Sequence, residues 1–138
     1  DRRPGEFVQS VTVPLPKAGA HYRVYKVTKR RDEDITAVLG AFNVEIADGR
    51  VSAARIAYGG MAATPKRARS VEAALVGQPW SEETVAAAMD AVSRDFTPIS
   101  DMRASAEYRL LAARNLIRRF LLETSGESGV QVKRYEEA

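Results

Sequence analysis

The sequence predicts an α+β domain, an antiparallel sheet of three to four strands followed by three helices packed on one of its faces. Three observations predict it. Valine, isoleucine, tyrosine and phenylalanine crowd the chain as far as Tyr58. Asp48-Gly49 sits between two strand-like segments, where both central positions of a tight hairpin turn favour positive φ. Beyond Gly60 the apolar residues recur at steps of three and four, the period of a helix face.

The elements follow in chain order. Phe7 to Val13 is rich in strand formers and stops at Pro14 and Pro16, which cannot donate to a ladder. His21 to Thr28 is a second extended piece. In Ile35 to Ile46, one strand parity collects Thr36, Val38, Phe42, Val44 and Ile46. Gly40 interrupts that face, as a bulge or a close packing point. Val51 to Tyr58 pairs back across the Asp48-Gly49 turn, with Ile56 and Tyr58 inward. Tyr58-Gly59-Gly60 ends the sheet.

The first helix is expected from Thr64 as N-cap and Pro65 at the first helical position, with Ala68, Val71 and Leu75 on one face and Gly77 as the stop. Ser81 caps the second, with Glu82 and Glu83 in its first turn and Trp80 and Val85 at staple spacing. Val85, Met89 and Val92 line one side of it, and Pro98 breaks the chain. The third runs from about Met102 to Glu123, capped by Ser100 or Asp101, on a stripe of Ala106, Leu110, Ala113, Ile117 and Phe120. Arg103, Arg109, Arg114, Arg118 and Arg119 fall between these positions and are expected on a solvated flank.

Composition narrows the function. The 138 residues include no cysteine and one histidine, His21, so thiolate zinc, cysteine-ligated iron–sulfur and Ser-His-Asp chemistry find no support. Net charge is +3, and the late arginines alternate with Glu107, Asn115 and Glu123 without interleaved aromatics, so nucleic-acid binding is not expected. No apolar run approaches the ~20 residues of a membrane span, and no secretory leader is visible. A cytoplasmic location follows as an expectation. The chain opens on Asp1 rather than Met, as a processed product or a piece of something longer would. YGGMAATP is neither a Walker loop nor G-x-G-x-x-G and reads as a tight turn. Asp32, Glu33 and Asp34 point in different directions beside Lys29, Arg30 and Arg31, and read as a solvated turn. No motif makes a self-sufficient active site.

YKVTKRRDEDITAV, YGGMAATPKRA and SDMRASAEYR, in that order, resemble the C-terminal domain of the flavoprotein subunits of molybdenum hydroxylases. That family includes xanthine dehydrogenase and carbon monoxide dehydrogenase, and the Arg30-Arg31 pair favours the former. PGEFVQSVTVPLP resembles the last strand of the preceding FAD-binding domain. The resemblance thus implies residues 1–20 as the end of that domain, 21–124 as the C-terminal domain, and 125–138 as a tail.

It also implies a role. In that family, electrons from purine oxidation at a molybdopterin centre pass through two [2Fe–2S] clusters to FAD and then to NAD. Lys26 matches a lysine beside the flavin, where a cation would stabilise the negative charge that develops on the pyrimidine edge upon reduction. The implied partners are the upstream FAD-binding and iron–sulfur domains and a molybdenum-binding subunit. This chain alone should not oxidise purines and should hold FAD weakly or not at all. An α+β interaction module without catalytic function is the competing reading.

Overall fold

A computed structural model describes residues 3–17, 19–30 and 35–126. Four antiparallel strands form one sheet in chain order: β1 (Ala20–Val27), β2 (Val38–Ala47), β3 (Arg50–Gly59) and the two-residue β4 (Lys66–Arg67). Three helices follow, α1 (Arg69–Leu75), α2 (Glu82–Asp95) and α3 (Ala106–Thr124). The expected class is the observed one.

Strand parity decides which face is covered. Tyr25, Val38, Phe42, Val44, Ile56 and Tyr58 are buried and project toward the helices. The Asp48-Gly49 turn has φ of 51° and 72°, as the two-residue hairpin requires. The bulge lies between Glu45 and Ile46 rather than at Gly40. Gly40 is instead the close packing point: a Cβ there would come 2.7 Å from the Phe42 ring edge and 3.1 Å from Leu116 Cδ1.

The first helix starts later than its cap signal suggested. Thr64 and Pro65 do not open it. Lys66 and Arg67 pair with Tyr58 and Ala57 as β4, and α1 begins at Arg69 with no side-chain cap of its own. The Asp95 carboxylate, from the end of α2, accepts from Ser70 N at 2.9 Å and Val71 N at 3.2 Å. A cap supplied from another helix satisfies the same orphan donors and leaves no trace in the local sequence.

Glu72 then ties α1 to the sheet. Its buried carboxylate accepts from Ile56 N at 2.8 Å and from both ends of the Arg67 fork at 2.5 and 2.7 Å. Glu72→Ala should therefore lower unfolding stability by about 1–3 kcal/mol, because it strands a buried N–H. Chemical denaturation measures this, and an unchanged midpoint would contradict it.

Ser81 caps α2 as expected, accepting from Thr84 N. Trp80 packs edge-on against Phe120, with centroids 5.7 Å apart, and donates to Thr124 Oγ1 at 3.0 Å. Its role is thus to join α2 to the end of α3. Ser105 is the N-cap of α3, accepting from Tyr108 N at 3.2 Å, while Ser100 Oγ accepts from the first helical N–H, that of Ala106, at 2.8 Å; Asp101 is not the cap. Asp101 is held elsewhere, as described below. Residues 3–17 form no strand, and Phe7, Val8, Val11, Val13 and Leu15 are all exposed. The acidic run Asp32, Glu33, Asp34 and the tail from 127 onward lie outside the described residues. Among the described residues no helix is long and apolar enough to cross a membrane.

Candidate functional site

Register places Lys26. On β1, Tyr25 faces the helices, so Lys26 faces away from them, exposed on the uncovered side of the sheet. It pairs with Leu39, which pairs with Gly59; the next outward row is Val24, Ala41 and Ala57. At this end of the sheet the outward face thus carries Leu39, Gly59, Val24, Ala41 and Ala57, with the Lys26 ammonium on the β1 side.

Tyr25 anchors that end of β1 from the inside. Its ring lies 5.6 Å from Phe42, with the Arg119 guanidinium 4.6 Å over its face. Its hydroxyl donates to Glu123 Oε2 at 2.9 Å. Glu123 also accepts from Arg119 Nε at 2.7 Å and faces Arg23 Nε at 3.4 Å. Burial pushes the Glu123 carboxyl up. Hydrogen bonds from Arg119 and Tyr25 and the charges of Arg119 and Arg23 outweigh it, leaving the carboxyl below its ordinary value. Burial, with the hydrogen bond to Glu123, pushes the Tyr25 hydroxyl well above its own.

A depressed carboxyl stabilises the fold above its unfolded pKa and loses that contribution as pH falls through its folded value. Glu123→Gln should hence be less stable than the parent by a constant margin above about pH 5. The margin should shrink below about pH 4. Unfolding midpoints across pH 3–7 test the sign, and a gap that widened in acid would refute it.

Below Lys26 the three motif segments meet. Lys29 Nζ donates to Met102 O at 2.8 Å, closing a cleft of about 320 Å³ lined by Val27, Lys29, Asp101, Arg103, Ser105 and Tyr108. Asp101 Oδ1 accepts from Arg103 N at 2.9 Å, Ala104 N at 3.2 Å and Arg109 Nη2 at 2.6 Å, and Oδ2 accepts from Arg103 Nη1 at 2.9 Å. The backbone bond from Arg103, joined by those from Arg109 and Ala104, holds the Asp101 carboxyl far below the usual carboxylate range.

Arg109 is the correction to the sequence reading. It is not on a solvated flank but 3% exposed. Its Nη1 donates to Ala37 O at 2.6 Å and Gly60 O at 2.7 Å. The Gly60 carbonyl of the YGG turn is therefore committed to a protein partner. The spacing did carry a signal, since Arg109, Ala113, Leu116 and Phe120 form their own four-three-four stripe and all are buried. Among the described residues no group of His, Asp or Glu is placed to hold a metal ion.

Residues 23–124 match the family model of the CO dehydrogenase flavoprotein C-terminal domain. The chain belongs to that family. The nicotine 6-hydroxylase medium subunit of Paenarthrobacter nicotinovorans is 32% identical over 123 residues, covering 89% of this chain and 42% of that protein. A putative xanthine dehydrogenase FAD-binding subunit of Escherichia coli is 29% identical over 116 residues, covering 84% and 40%. A solved carbon monoxide dehydrogenase of Hydrogenophaga pseudoflava aligns with TM-score 0.72 and 34% identity over 78% of this chain and 37% of that one. The chain spans less than half the length of these relatives.

As a CO dehydrogenase flavoprotein C-terminal domain, the chain can be tested for fit to a flavin. Lys26 beside the Leu39–Gly59 row suits one edge of a planar ring that gains negative charge. The Gly59-Gly60 turn leads into β4 and not into a helix, so it aims no helix N-terminus at a phosphate. The described residues fit one wall of a flavin site.

Proposed function

We propose that this domain is the C-terminal part of the FAD subunit of a xanthine dehydrogenase-type molybdenum hydroxylase, and that Lys26 faces the pyrimidine edge of the flavin. The observation that carries the reading is the exposed Lys26 ammonium beside the Leu39–Gly59 row, on the face of the sheet turned away from the helices. Membership of the flavoprotein C-terminal family supports it. Bound FAD supplies two-electron redox chemistry between [2Fe–2S] clusters and NAD. Lys26 supplies a positive charge where negative charge accumulates, and Gly59 in its row, with Ala41 and Ala57 in the next, allows close approach. The purine substrate is read from the resemblance of the opening motif, with its Arg30-Arg31 pair, to xanthine dehydrogenase. A hydroxylase acting on another heterocycle is the second reading, favoured by the nicotine 6-hydroxylase relative at 32% identity.

Lys26→Met in the complete flavoprotein should lower the ratio of reduced to oxidised flavin at a fixed potential by roughly tenfold, about 1.4 kcal/mol. It should slow NAD reduction while leaving purine oxidation with an artificial acceptor unchanged. Spectroelectrochemical titration measures the ratio. An unchanged ratio would sink the Lys26 assignment, and full activity on a heterocycle other than purines would select the second reading.

A further inference from the structure

Among the described residues the Lys26 side chain has no hydrogen-bond or ion-pair partner, yet a charge tunes a ring only if its distance is fixed. Resting on the flavin reading above, we propose that Arg109 is a positioning residue for Lys26, acting from the opposite side of the sheet.

The ladder between β2 and β3 ends at Leu39 and Gly59, the row to which Lys26 belongs. Past that row Arg109 Nη1 bridges the two strand ends, through the carbonyl of Ala37, which precedes β2, and that of Gly60, which follows β3, at 2.6 and 2.7 Å. Ala37 in turn donates its N–H to Val27 O at 2.9 Å, so the bridge reaches β1 one residue from Lys26. Asp101, itself gripped by two backbone N–H groups, takes Nη2 and fixes the far side of the fork. The Nε–H has no acceptor, so the two carbonyls and the carboxylate set the orientation of the guanidinium. Gly60 makes the bridge possible. Its φ is +76°, and a Cβ there would lie well inside contact distance of the Ala37 oxygen. Burying a guanidinium costs more than burying an apolar side chain of the same volume, so the pair is a poor route to stability. What it provides is geometry: three chain segments locked at a planar fork, directly beneath the row that carries Lys26.

The test uses the complete flavoprotein with Arg109→Gln and Arg109→Lys, each with and without Lys26→Met. Two readouts are taken: the reduced-to-oxidised flavin ratio at fixed potential, and the NMR resonance of ¹³C-methylated Lys26 with Lys66 as the control. Arg109→Gln should change the ratio by about threefold or more, Arg109→Lys by less, and neither should change it further once Lys26 is Met. The Lys26 resonance should move in both variants while that of Lys66 stays. If Arg109→Lys lowers stability but moves neither readout, the pair is structural only and the proposal is overturned. An equal change in the Lys26→Met background would also overturn it, by showing that Arg109 acts through its own charge. Should Lys26→Met itself leave the ratio unmoved, the flavin reading fails. The Lys26 resonance then decides the positioning role by itself.

Discussion

Phe42→Ala lowers the unfolding free energy by about 3–5 kcal/mol, the cost of an aromatic cavity in a core that cannot collapse around it. Phe42 is fully buried at the centre of the aromatic cluster. It stacks on Phe120 of α3 at 5.3 Å and meets Tyr25 of β1 at 5.6 Å and Tyr58 of β3 at 5.8 Å. Each of those rings has a second anchor. Phe120 meets Trp80, Tyr58 meets Phe96 and donates to Ala113 O, and Tyr25 donates to Glu123. Hydrogen bonds therefore hold two of the three neighbours around the space that the ring vacates, which puts the loss toward the upper end. Phe42→Leu, which refills most of the volume, should recover more than half of it. Urea denaturation of the two variants measures both effects. A loss under 1 kcal/mol for the alanine variant would mean that the layers close over the gap.

Gly60→Ala is the second large effect, and it acts on the site as well as on the fold. A side chain at φ of +76° costs about 1–2 kcal/mol in local conformation alone. The added carbon also meets the Ala37 carbonyl oxygen, backbone that cannot swing aside, and comes within 3.2 Å of Arg109 Nη1. Relief requires the bridge between β2 and β3 to open. We expect a total loss of about 2–4 kcal/mol. Gly59→Ala is the control: its φ is ordinary for any residue and its Cβ would rest 3.6 Å from that of Leu39, an ordinary contact. It should change stability by less than about 1 kcal/mol. Equal losses at the two glycines would show that backbone entropy, and not the close approach at Gly60, governs this corner.

Much of the molecule was legible in the chain because it depends on local period and turn chemistry. The parity of Val38, Phe42 and Val44 named the covered face of β2, and Asp48-Gly49 named the hairpin. Ser81 named the start of α2, where the cap lies next to the turn it serves. The motifs that carry the family resemblance were legible too, and the match over 23–124 bears it out.

The misses share one cause: a polar group satisfied by a partner far away in sequence. Thr64 and Pro65 look like a helix start, but the donors of α1 are met by Asp95, 25 residues on, so the chain before Arg69 was free to pair as β4. Asp101 looks like a cap for α3, but it is drawn to Arg109, and the start of the helix passes to Ser105. Arg109 looks like one more exposed cation on a basic flank, yet it is buried. Its acceptors, Ala37 and Gly60, are backbone carbonyls 72 and 49 residues away. Any residue can supply a backbone carbonyl, so no side-chain pattern announces it.

The sequence by itself determined the fold class, the order of the elements, the inward faces, and which segments carry the family's motifs. These follow from hydrophobic period and turn preference, which act over a few residues. Only the tertiary structure decided that those segments meet at one end of the sheet, that Lys26 stands outward in its last full row, and that a buried Arg109–Asp101 pair lies behind it. Strand register and helix packing create those neighbours, and a buried charge is stable only where they supply its acceptors.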